Sequence, residues 1–251
     1  MHAISTLEVI LDRHGPSALA FFITPNAILT LSGARAFFDG VIYTNRENNM
    51  SVWLSELNEY LKTMEKATAT LYKGTQINTN YSGDEYLGFF IILEQGLIYT
   101  LSSTKLLKQP AQLVDDVNDY MKIIDAISVE LRENPELDQI SDDDIRHTAF
   151  GILLGYPDKA IVESHGKWNP SKNINNDKLI DAKIKYADFY RCPQPVYSYP
   201  KYLLNDPDIR SHEILWSSIL RDFYESDFHK KLTNDPSFIE KARELGLFEK
   251  Y

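Results

Sequence analysis

Apolar side chains recur at three- and four-residue steps through much of this chain, and that period is the pitch of an α-helix. The clearest stretch is 111–133, where Leu113, Val117, Tyr120, Ile124, Ile127 and Leu131 form an uninterrupted stripe before Pro135. Residues 52–71 predict a second helix from Trp53, Leu57, Tyr60, Leu61, Met64 and Leu71, with Gly74 as its stop. A third is expected over 5–14, where Ser5 and Glu8 have the form of a capping box and Gly15-Pro16 closes the segment. Ser141 reads as an N-cap, with Asp142, Asp143 and Asp144 at the positive end of the helix dipole. That helix runs to about Leu154, where Gly155 takes the left-handed conformation and Pro157 prevents continuation. Asp158 to His165 adds a turn or two, and 166–178 reads as loop. Asp206-Pro207 and Asp235-Pro236 each pair a capping carboxylate with proline at the first helical position. His212, Leu215, Trp216, Ile219 and Phe223 form the stripe after the first pair, and Phe238, Ala242 and Leu245 the stripe after the second.

Other segments carry strand chemistry. Residues 18–31 read as two short strands around Thr24-Pro25-Asn26, or as buried helix ends. Val41-Ile42-Tyr43-Thr44 has strand composition. In 88–101, β-branched and aromatic runs flank Glu94-Gln95-Gly96, which predicts a hairpin, with a helix ending near Gly96 as the competing reading. Together with 196–199, these segments predict an α+β fold: a mostly helical single domain over 1–251 with a small antiparallel element. An all-α fold is the alternative.

Composition narrows the function classes. With 43% of residues apolar and 25% charged, the chain belongs with ordinary globular proteins. Of its net charge of -10, all but about one unit falls between Pro110 and Asp144. Such a region repels phosphate backbones and no basic block compensates, so nucleic-acid binding is disfavoured. The first residues lack a basic region followed by an apolar core, and runs such as Phe89 to Leu93 are too short to span a bilayer. A cytoplasmic protein without membrane partners is therefore expected. The aromatic content allows a homo-oligomer, but no heptad run requires one. A single cysteine, Cys192, rules out an intrachain disulfide and a Cys-rich metal site, and nothing in the sequence calls for a cofactor.

Chemistry-bearing residues form two groups. Asp143 and His147, four apart on a predicted helix, share a face, and Glu163 or His165 could join them across the Gly155 corner as acid–base groups or metal ligands. No His-Glu-x-x-His pattern, nucleophile elbow or phosphate loop supports a specific reaction, and no metal is assigned. His212-Glu213 with Trp216 is a weaker candidate still, because adjacent residues on a helix diverge. The second group suits binding. Tyr156 and Asp158 sit at the Gly155-Tyr156-Pro157 corner, while Tyr190, Cys192, Tyr197 and Tyr199 lie among Pro193, Pro195 and Pro200. Proline limits backbone freedom and tyrosine offers contact area at little entropic cost, which suits a preorganised surface. Two functions follow as expectations. One is a non-catalytic interaction or regulatory protein using the acidic helix and the Tyr/Pro segment. The other is a small-molecule hydrolase with an Asp/Glu/His pocket, possible metal assistance included.

Overall fold

Helices cover most of the computed structural model, which describes residues 2–44, 52, 55–60, 62–63, 67–78, 81–108, 120–137, 140–163, 179–181 and 197–245. The first helix, α1 (His2–His14), begins before Ser5, so the expected capping box is not its start. Ala3, Leu7 and Ile10 are buried on one face, and that stripe extends the helix past the serine. Gly15, with φ of 81°, ends it as expected. The segment expected as two strands is instead a 3-10 turn, Pro16–Phe21, followed by α2 (Pro25–Leu31). Thr24 caps α2 by accepting the Ala27 N–H, and Pro25 occupies the first turn. Leu19 to Ile23 are buried in succession, so no helical period shows in the sequence.

A three-stranded antiparallel sheet has the order β1 (Phe37–Thr44), β3 (Tyr81–Leu93), β2 (Ala67–Asn78). In register, Phe37 faces Ile92 and Ala67 faces Leu93. Residues 55–60 form α3, but Leu71 and Gly74 lie within β2, so the helix expected over 52–71 stops early. Thr68, Thr70, Tyr72, Thr75 and Ile77 favour a pleated strand over a helix. Trp53, Leu61 and Met64 lie outside the described residues.

The expected 88–101 hairpin is a strand running directly into a helix, α4 (Glu94–Ser103). Gly96 serves close approach rather than a turn. A Cβ there would lie 2.1 Å from the carbonyl oxygen of Arg35. The acidic helix is described as α5 (Tyr120–Arg132), and residues 109–119 lie outside the described set. Next come α6 (Asp142–Leu153), capped by Ser141 as expected, and the short α7 (Asp158–Glu163).

Two short strands, β4 (Leu179–Asp181) and β5 (Ser198–Pro200), pair antiparallel. The C-terminal helices are α8 (Pro207–Tyr224), α9 (Asp227–Leu232) and α10 (Pro236–Glu244). Asp206 and Asp235 cap α8 and α10 as their sequence pattern implies. The buried face of α8 differs from the expected stripe. Ile209, Glu213, Trp216, Leu220 and Phe223 face inward, and Leu215 is exposed. Burying each large apolar side chain of that set contributes roughly 1.5–3 kcal/mol.

The core divides into two clusters that meet at residues 34–37. One gathers α1, the 3-10 turn, α2, α3 and α8 to α10; the other gathers α4 to α7. Strand alternation at the start of β1 sends Phe38 into the first cluster and Phe37 into the second, where Phe37 meets Phe150 edge-on at 5.1 Å. Backbone bonds fasten the junction: Ala36 N–H donates to Leu153 at 3.1 Å, and Leu93 N–H donates to Ala36 at 3.1 Å. The fold is thus α+β and mostly helical, and the paired strands exclude the all-α alternative.

Candidate functional site

The corner after α6 abuts a polar part of the interior. Tyr156 N–H reaches the Gly151 carbonyl at 3.0 Å and Gly155 N–H reaches Ile152 at 2.8 Å, the paired bonds of a Schellman termination. Gly155, with φ of 71°, abuts the Ala34–Arg35 backbone, where a Cβ would sit 3.0 Å from the Ala34 oxygen. Arg35 is therefore held between Gly155 on one side and Gly96 of α4 on the other.

The Arg35 side chain is 1% exposed. Its Nη1 donates to Asn26 Oδ1 at 2.5 Å, and its guanidinium lies 5.7 Å from the centre of the Trp216 ring. Around Trp216 the rings form a continuous cluster. His212 lies 4.4 Å away, one helical turn back on α8, and Tyr197 meets Trp216 at 5.8 Å and His212 at 5.6 Å. Tyr156 stacks on Tyr197 at 5.4 Å, and Tyr199 follows at 6.0 Å. Tyr199 donates its hydroxyl to the buried carboxylate of Glu213 at 2.8 Å, and Arg210 lies 3.7 Å from the other oxygen.

Electrostatics here follow from dryness. Burial, with the Arg35 charge adding to it, holds the His212 imidazole down to about 4, so it is neutral near pH 7. Burial and the Glu213 charge push the Tyr197 phenol far upward, and burial with the bond to Glu213 pushes Tyr199 up to about 12. Among the described residues, Tyr197 Oη, His212 Nε2 and Trp216 Nε1 are buried with no hydrogen-bond partner. Each such group costs roughly 1–3 kcal/mol when left unsatisfied.

The sequence-derived candidates separate into different places. Tyr156, Tyr197 and Tyr199 do come together, but inside the protein. At 2% and 0% exposed, the Tyr197 and Tyr199 rings are core and do not form the expected contact surface. Tyr199 lies within β5 and Tyr197 directly before it, and both rings pack toward α8, where their apolar faces leave water. Asp158 ties down the segment after α4, accepting the Thr104 hydroxyl at 2.6 Å and the Lys105 N–H at 2.8 Å. His147 bonds through Nδ1 to the Asp143 backbone carbonyl at 2.7 Å, on an exposed face of α6. Glu163 accepts the Tyr202 hydroxyl. His165, Tyr190 and Cys192 lie outside the described residues, which contain no group of three or more side chains placed to hold a metal.

Arg35 entered through the fold, while the sequence marks Asn26 only as a turn residue and Glu213 only as a weak candidate beside His212. One signal was present: Arg35 stands alone in the otherwise small and apolar run Gly33-Ala34-Arg35-Ala36-Phe37-Phe38. The His212–Trp216 spacing also fits a shared helix face.

A second concave feature lies between α1, α9 and the start of α10. This groove, of about 520 Å³, has Leu11, Pro16, Phe228 and Leu232 among its lining and Glu8, Asp12 and Asp235 set against the one ammonium of Lys231. Its hydrogen bonds to Ser237 and Phe238 hold the Asp235 carboxyl below its ordinary value, so it is ionised near neutrality. No family model, no curated protein and no solved structure matches this chain. Among the described residues, no helix is long and apolar enough to cross a membrane.

Proposed function

We propose that this chain is a non-catalytic interaction protein that docks a basic segment of a protein partner in the groove between α1, α9 and α10. The observation that carries the reading is the groove itself. Its volume of about 520 Å³ lies in the range of ligand-binding clefts, and it combines an apolar lining with three carboxylates and one ammonium. A lysine or arginine side chain of the partner matches both features, laying its aliphatic stem on Leu11 and Phe228 and its charge among Glu8, Asp12 and Asp235. The chain's net charge of -10 favours approach of a basic partner at low ionic strength. Against a hydrolase, Glu163 and His147 are engaged in bonds within the fold. The acidic helix supports a secondary contact, since α5 exposes Met121 and Val129, eight residues apart on one face.

The test is calorimetric titration of the intact chain with a short amidated peptide alternating leucine and lysine, beside the same peptide with glutamate for lysine. Saturable binding of the basic peptide alone, weakened at least fivefold by Glu8→Gln with Asp12→Asn and by raised salt, is expected. Equal binding of the acidic peptide, or unchanged affinity in the double variant, overturns the proposal.

A further inference from the structure

The geometry points to a second binding site, independent of the groove: a small oxyanion, carried by a carboxylate or phosphate group, held by Arg35, Trp216, Tyr197 and His212. Three polar atoms belong to rings in mutual contact, 4.4 to 5.8 Å apart, and none finds a partner among the described residues. Two are obligate or ready donors, the indole N–H and the phenol O–H, and a neutral imidazole adds a third from Nε2 in the fitting tautomer. An arginine beside them supplies the charge. Its placement requires glycine at both 96 and 155, since a Cβ at either position would press on the Ala34–Arg35 backbone. A set made of donors plus a cation selects an acceptor-rich anion and rejects ammonium groups. The carboxylate whose charge reaches Tyr197, Glu213, is already engaged: it accepts the Tyr199 hydroxyl at 2.8 Å and lies 3.7 Å from Arg210. Around the enclosed Arg35, Tyr197 and Trp216, the His212 and Tyr156 side chains are half-buried, and they form the margin of the cluster toward solvent.

The experiment uses the intact chain labelled with nitrogen-15. The indole N–H resonance of Trp216, assigned with Trp216→Phe or, if that variant does not fold, by its perturbation in Tyr197→Phe, is followed during separate titrations with inorganic phosphate and sodium acetate. Sodium chloride at matched ionic strength is the control. A saturable shift with one or both oxyanions, absent with chloride, is expected. A response to phosphate alone assigns phosphate-bearing ligands, and a response to acetate assigns carboxylates. Tyr197→Phe keeps the ring and removes only the hydroxyl, so its melting temperature in oxyanion-free buffer is expected to be no lower than that of the parent, with affinity weakened at least fivefold. Arg35→Lys is expected to weaken it further. An indole resonance that both oxyanions leave where chloride leaves it, or identical affinity in Tyr197→Phe, overturns the assignment.

Discussion

Replacing Gly96 by alanine tests the packing that holds Arg35 in place. The added Cβ would lie 2.1 Å from the Arg35 carbonyl oxygen and 3.3 Å from Ala36 Cα, where ordinary contact begins near 3.4 Å. Relief requires α4 or the 34–37 backbone to move by more than ~1 Å. Overpacking of this kind costs roughly 1–3 kcal/mol. The same movement strains the bonds Leu93 N–H to Ala36 and Ala36 N–H to Leu153, both at 3.1 Å. Those bonds contribute about 1 kcal/mol each. A loss of about 4 kcal/mol is expected, which lowers the melting temperature by roughly 8–16 °C in a chain of this size. Gly15→Ala is the control, because its Cβ meets nothing within 4 Å and only the positive φ of 81° opposes it. With ψ of 176° the backbone there is of a kind that glycine alone adopts readily, and the variant is expected to lose about 1–3 kcal/mol. Urea unfolding followed by circular dichroism measures both. If Gly96→Ala loses no more than Gly15→Ala, the close approach of α4 to Arg35 is not what the glycine serves.

Tyr199→Ala opens a cavity at a fully buried ring and is expected to cost about 3–5 kcal/mol in a denaturant titration. A variant as stable as the parent would return that ring to the surface. The His212 imidazole, followed by NMR, is expected to titrate near pH 4. The folded value lies below the unfolded one of about 6.5, so the unfolded chain takes up the proton first and stability falls as pH drops from there toward 4. His212→Gln should flatten that part of the stability profile, and a folded-state midpoint at 6 or above would contradict the burial of the ring.

What the sequence disclosed is what local chemistry decides. Ser141, the Gly155 corner, Asp206-Pro207 and Asp235-Pro236 were legible because a cap needs only a few consecutive residues and a free N–H or carbonyl. The errors arose where distant segments decide. Gly96 looked like a turn residue because the Arg35 backbone it accommodates is 61 positions away in the sequence. Leu71 fell into phase with a helical stripe while belonging to a strand. Tyr197 and Tyr199 resembled a surface because proline and tyrosine suit surfaces, yet the cover that α8 provides becomes visible only in three dimensions. The groove was equally hidden, since its walls come from residues 8–16 and 228–235.

The contacts between the two ends of the chain bear on its birth. Tyr224 donates to the Ile23 carbonyl at 2.9 Å, Lys241 reaches Glu56 at 2.7 Å, and α10 packs on the 3-10 turn that carries Phe21. During translation, the greasy run Leu19 to Ile23 leaves the ribosome some 200 residues ahead of the helices that will cover it. At usual elongation speeds that interval lasts roughly 10–40 s. For that time the nascent polypeptide presents a sticky segment with α1 and α2, but not α8 to α10, at hand to shelter it.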